Sequence, residues 1–125
     1  MSHYHAVVWL DHNEAKILHF TPEEVEKAQI HAKEAHKHLH AKHTLHEKHH
    51  DDKGFYHHIV EALQGAKEIL IAGPGAAKLE LVKHIHVHDH VLVPAVVGVE
   101  TVDHPSDGQL LAYARQYFKA ADRMI

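Results

Sequence analysis

Residues 67–81 constrain the fold more than any other stretch of this chain. They read Lys-Glu-Ile-Leu-Ile-Ala-Gly-Pro-Gly-Ala-Ala-Lys-Leu-Glu-Leu. Ile69, Leu70, Ile71 and Ala72 form a short continuous apolar run, the pattern of a strand covered on both faces. Gly73-Pro74-Gly75 ends the run, because Gly permits φ > 0 and Pro has no N–H to give a central ladder. From Ala76 the period changes: Leu79, Val82 and Ile85 fall three apart, on one side of a helix. A strand, a tight glycine turn and a helix in that order predict an α/β layer structure.

The flanking sequence supplies the other elements. Residues 4–11, rich in Val and aromatic side chains, read as a first strand. Asp11-His12-Asn13 is a turn, and residues 14–20 alternate as a second, antiparallel strand. Thr21-Pro22-Glu23-Glu24 reads as a turn rather than a helix start, followed by a polar edge strand over 25–33. Phe55, Ile59 and Leu63, with Tyr56 and Val60 beside them, predict an amphipathic helix that Asp51 or Asp52 caps and Gly65 ends. The strict alternation of His84-Ile85-His86-Val87-His88-Asp89-His90 predicts that the helix after Gly75 has ended near there. Residues 91–93 read as an extended lead-in, and 95–102 as the last strand. Ser106 with Gln109 forms a capping box for a final helix, in which Leu110, Ala114, Tyr117 and Ala121 repeat, flanked by Leu111 and Phe118. The order predicts a mixed five-stranded sheet with helices on both faces, a three-layer RNase H-like α/β arrangement.

The chain has 125 residues, enough for one domain with one sizeable core, spanning 1–125. It has no cysteine, which excludes disulfides, thiolate catalysis and a cysteine-bearing zinc site. The first residues lack Lys and Arg, and the apolar run after them covers only positions 6–10, too short for a signal peptide or a membrane span. A soluble, cytoplasmic protein without membrane contact is expected. Formal charge is −4 with histidine neutral, so no standing basic field for nucleic acid exists. The 19 histidines change that with pH. About ten further positive charges appear between pH 7 and pH 6.

Ten histidines fall within residues 31–58. Residues 34–52 should be a long solvated loop or an exposed helix, since 36–52 offer only Leu39 and Leu45 as large apolar side chains. If residues 36–50 are helical, His36, His40, His43 and His50 share a face with His46 close by. The i, i+4 pairs His36/His40 and His46/His50 can chelate zinc, nickel or copper. The competing reading is a solvated histidine face without the fixed geometry a metal site needs. His84, His86 and His88, with His90, would form an alternating ligand comb in an extended segment; the competing reading is a polar face opposite Ile85 and Val87.

Other candidates carry weaker chemistry. Gly73, Gly75 and Lys78 sit where free N–H groups at a helix start attract an anion such as an RNA phosphate, although the P-loop ending is missing. Asp11, Glu61 and Asp103 are the carboxylates that an RNase H-type nuclease would need to cluster. Tyr113, Tyr117 and Phe118 offer rings for base stacking, but without a basic surround they read as core or as a dimer contact. No Ser/His/Asp arrangement and no other catalytic residue can be assigned.

Several stretches together resemble a known family. They are Ala6-Val7-Val8-Trp9-Leu10-Asp11, Ala15-Lys16-Ile17-Leu18, Phe55-Tyr56-His57-His58-Ile59, Ile69 through Lys78 with its Gly-Pro-Gly, and Val99 through Gln109. On these residues, which cover most of the chain, it resembles the middle domain of the eukaryotic and archaeal release factor and Pelota group. It is similar, more closely, to short bacterial single-domain proteins labelled translational machinery proteins. The resemblance implies an RNase H-like fold and a place in ribosome or RNA biology. It does not carry over peptide release: the Gly-Gly-Gln tripeptide of release factors would fall within residues 33–53, which contain neither Gly nor Gln.

The sequence thus favours a non-enzymatic binding domain that contacts ribosome, RNA or a protein partner and requires no cofactor. The alternatives are a histidine-rich protein that binds or buffers divalent metal, zinc or nickel foremost, and a metal-dependent nuclease. A homo-oligomer is compatible with each.

Overall fold

The structure, a computed structural model, describes residues 4–32 and 52–123. Its strands are β1 (His5–Leu10), β2 (Glu14–Phe20), β3 (Val25–His31), β4 (Glu68–Gly73) and β5 (Val96–Thr101). Its helices are α1 (Asp52–Ala62), α2 (Ala77–His88) and α3 (Asp107–Arg123), with a 3₁₀ helix over His90–Ala95 before β5. The strands form one sheet in the order β3-β2-β1-β4-β5. β1 pairs antiparallel with β2 and parallel with β4; β2–β3 is antiparallel and β4–β5 parallel.

Strand periodicity sorts the core into two layers, because alternate residues point to opposite faces. Ala6, Val8, Leu10, Ile17, Ile69 and Ile71 face α1 and α2, meeting Phe55, Ile59, Leu63, Leu81 and Ile85. Val7, Trp9, Leu18, Phe20, Leu70 and Ala72 face α3, meeting Leu110, Ala114 and Phe118. The continuous apolar runs of β1 and β4 are therefore explained: these strands are covered on both sides. β3 at the edge is exposed almost throughout, as its polar sequence requires. The expected mixed five-stranded sheet with helices on both faces is what forms. The expected first turns also form: Thr21 Oγ1 accepts from the N–H groups of Glu23 and Glu24, and Gly65 sits at φ 95° just beyond α1.

Four local expectations are corrected. First, Gly73 and Gly75 do not use positive φ. Gly73 is required for space, since a Cβ there would lie 2.2 Å from the Leu10 carbonyl oxygen. Second, the buried stripe of α2 is Ala77, Leu81 and Ile85, four apart, while Leu79 is 58% exposed. Third, α2 does not end before His84. It runs to His88, and Val87, which an extended alternation would bury with Ile85, is 63% exposed. Fourth, residues 91–93 are not extended: the 3₁₀ turn swings Leu92 into the core and leaves Val91 outside. In α3 the inward residue is Phe118, with Tyr117 beside it.

Candidate functional site at the strand ends

β1, β4 and β5 are parallel, and their C-terminal ends meet on one side of the sheet, where α/β proteins place their sites. The apposition is close because position 73 lacks a side chain. The Val102 N–H donates to the Gly73 carbonyl at 3.1 Å. Trp9, 2% exposed, ties the same end together from below: its Nε1–H donates to the carbonyls of Asp103 (2.6 Å) and Val102 (3.2 Å). A buried indole N–H needs such a partner.

Above Trp9 lies His104, edge-on to the indole with ring centroids 5.0 Å apart. His104 Nδ1 is 2.8 Å from Asp103 Oδ1, and Nε2 is 3.7 Å from Asp11 Oδ2. The Asp103 hydrogen bond, followed by the charges of Asp103 and Asp11, holds the imidazole above its ordinary pKa despite some desolvation. Asp11 is fixed in turn: its Oδ1 accepts from the backbone N–H groups of Asn13 and Glu14. The capping box forms as the sequence predicts, with Ser106 Oγ accepting from the Gln109 N–H and Gln109 Oε1 from the Ser106 N–H. It aims the first turn of α3 across β2 and β3, where Asp107 receives Lys27 at 2.5 Å and Lys16 at 3.5 Å. Lys27 foremost lowers the Asp107 pKa. Lys16 Nζ also lies 5.8 Å from the Trp9 ring centroid. The result is a surface of alternating charge around one imidazole clamped between carboxylates.

The other sequence candidates fall elsewhere. Lys78 is close to Gly75, but its amine donates to the Gly75 carbonyl at 2.6 Å and is nearly buried, so the loop itself takes up that charge. Glu80 occupies the first turn of α2 and accepts from the Tyr56 hydroxyl. His84 and His88 lie one helical turn apart, ring centroids 4.8 Å, with His84 Nε2 3.6 Å from Asp89 Oδ2. His86 is displaced from that face by two residues of helix rotation, so the expected ligand comb of His84, His86 and His88 in an extended segment does not exist. Among the described residues no group of three His, Asp or Glu side chains could hold a metal ion. His36, His40, His43, His46 and His50 lie outside the described residues. Asp11 and Asp103 do approach one another, but Glu61 does not join them. Glu61 pairs with His57, and the Ala62 carbonyl next to it is bonded by His19 at the far end of β2. That places it about 15–20 Å along the sheet from Asp11. The sequence reading missed His104 and Lys16; Trp9 was legible only as an apolar strand residue.

No protein-family model matches the chain, and no curated protein matches it in sequence. Solved structures do. The Pelota protein of Thermoplasma acidophilum aligns with a TM-score of 0.61 at 18% identity, over 90% of this chain and 32% of that one. The archaeal translation termination factor aRF1 aligns with a TM-score of 0.60 at 17% identity, over 96% and 38%. Dom34 of S. cerevisiae, a translation termination-like factor involved in RNA quality control pathways and interacting with Hbs1, gives 0.57 at 15% identity, over 86% and 31%.

The fold is that of Pelota, aRF1 and Dom34.

The chain spans about a third of the length of each of these proteins. The resemblance to the middle domain of the release factor and Pelota group agrees with these neighbours. In this Pelota-like fold, β3 leads toward α1 through the histidine-rich residues in which the sequence has no Gly-Gly-Gln. Among the described residues no helix is long and apolar enough to cross a membrane.

Proposed function

We propose that this chain is a translation-factor-related binding domain that docks onto a ribosome or a protein partner through the surface at its strand ends, without peptide-release activity. The observation that supports this reading is the likeness of nearly the whole chain to Pelota, aRF1 and Dom34. The rim around Trp9, with Asp11, Asp103, His104, Lys16 and Asp107, presents both charge signs to solvent, suited to specific docking. A soluble, cytoplasmic setting belongs to the same proposal.

The test is co-sedimentation of the full chain with ribosomes at pH 7.5 and pH 6. The proposal expects a ribosome-bound fraction that rises at pH 6 as histidines charge. It also expects the double variant Asp103→Ala/His104→Ala to lose about tenfold in apparent affinity while keeping its fold. Absence of binding at both pH values, with no protein captured from a ribosome-depleted extract that competes at this surface, would sink it.

A further inference from the structure

A concavity lies at the opposite end of the sheet, where β2 runs out past Phe20 and α3 passes over the start of β1. It is a cavity of about 470 Å³ between His5, Phe20, Pro22 and Phe118 on one side and Arg115 and Lys119 on the other. That volume suits a small organic ligand. Its wall is aromatic: His5 lies near-parallel to Phe20 at 5.8 Å and tilted on Phe118 at 4.4 Å, and Phe20 meets Phe118 at 6.0 Å.

Arg115 is held in place beside it. Its Nη2 donates to the Thr21 carbonyl at 2.8 Å, and its guanidinium carbon stands 5.8 Å from the Phe20 ring centroid. Its Nε–H is buried and has no hydrogen-bond acceptor. Buried polar groups are almost always satisfied, and a guanidinium can only donate. Any polar atom that meets Arg115 across the cavity wall is therefore an acceptor, best an anionic oxygen. Lys119, one turn further along α3 and exposed, adds a second cation to the same wall. Among the described residues no carboxylate lines the cavity; the nearby Glu68 is spent on His5 at 3.0 Å.

We propose that this cavity binds a small aromatic carboxylate, its ring against Phe20, Phe118 and Pro22 and its acid group on Arg115 and Lys119. Flat aromatic walls take a ring, and two cations, with no carboxylate among the described lining residues, select the charge sign.

The test is a ¹⁵N NMR titration of the full chain with indole-3-acetate, run beside indole, acetate and tryptamine. The proposal expects saturable shifts concentrated at Phe20, Thr21, Arg115, Phe118 and Lys119, with the acid binding about tenfold tighter than indole or acetate and tryptamine not at all. Lys119→Glu, at an exposed position, should weaken the acid about fivefold or more with an otherwise unchanged spectrum. Arg115→Lys keeps the charge but loses the planar guanidinium fork and should weaken it too; if that variant misfolds, Lys119→Glu carries the test alone. Equal binding of indole or tryptamine, shifts scattered over the surface, no saturation in the millimolar range, or full affinity in Lys119→Glu would each overturn the assignment.

Discussion

At position 73 the deciding atom is the Leu10 carbonyl oxygen, not a torsion angle. A methyl group there would stand 2.2 Å from that oxygen, so β1 and β4 would have to part. Gly73→Ala should therefore cost about 2–3 kcal/mol in urea denaturation, in the range of an overpacked core. Gly75→Ala, with open space around its Cβ and ordinary φ, should fall within about 0.5 kcal/mol. His104 gives a residue-scale prediction of another kind. Its folded pKa lies above the free value of 6.5, first because of Asp103. The interaction therefore favours folding fully at acid pH below that value and fades as pH rises through the raised one. Asp103→Asn should bring the His104 titration, followed by its ring-proton NMR shift, back toward 6.5. An unmoved midpoint would assign the shift to Asp11 instead.

At the scale of elements, α2 shows why a short pattern deceives. His84-Ile85-His86-Val87-His88 fits a strand period and a helix period equally well over five residues. What distinguishes them is which of Ile85 and Val87 is buried, and that is settled by packing against β1 and β4, not by the local letters. Ile85 is 1% exposed and Val87 63%. Ile85→Ala should then cost about 3 kcal/mol, whereas Val87→Ala should stay within about 0.5 kcal/mol by thermal or chemical denaturation. An alternating strand would make the two losses alike. β1, β4, α1 and the capped start of α3 were legible because each carries several agreeing signals: composition, period and a stop or cap residue. The strand-end site was legible only in part. Asp11 and Asp103 could be picked out as turn formers, but their meeting around His104 depends on the parallel pairing of β1, β4 and β5, a relation between residues about ninety positions apart. The Asp107 link between α3 and β3 is a similar long-range product. The Asp107 pKa is lowered by Lys27 and then Lys16, so that contribution is present at neutral pH and lost as acid protonates Asp107. With about two-fifths of these side chains exposed, Asp107→Asn should cost under about 1 kcal/mol at pH 7 and progressively less as pH falls through the lowered Asp107 pKa.

For the whole molecule, the fold separates two regions at opposite ends of one sheet, a charged surface at Asp11 and His104 and an aromatic cavity at Phe20 and Phe118. Variants at one end should leave ligand response at the other unchanged, which co-sedimentation and NMR titration can check on the same protein. For the histidine-rich residues 36–50, which lie outside the described residues, elemental mass spectrometry on untagged protein, purified without a nickel column, is the direct measurement. A histidine metal site there would leave about one equivalent of a single metal after dialysis, lost on changing His36, His40 and His43 to Ala; trace metal alone would leave a solvated histidine face. The topology also has a consequence in time. β1 is the apolar centre of the sheet, yet it is made first, and one of its edges waits for β4. A ribosome must add residues 32–67 after β3 before that edge can be covered. At ordinary elongation rates this takes about 2–7 s, far longer than a hairpin needs to form. For those seconds the nascent β1 keeps one row of its Val and Trp backbone groups without a partner strand, until Ile69 and its neighbours arrive.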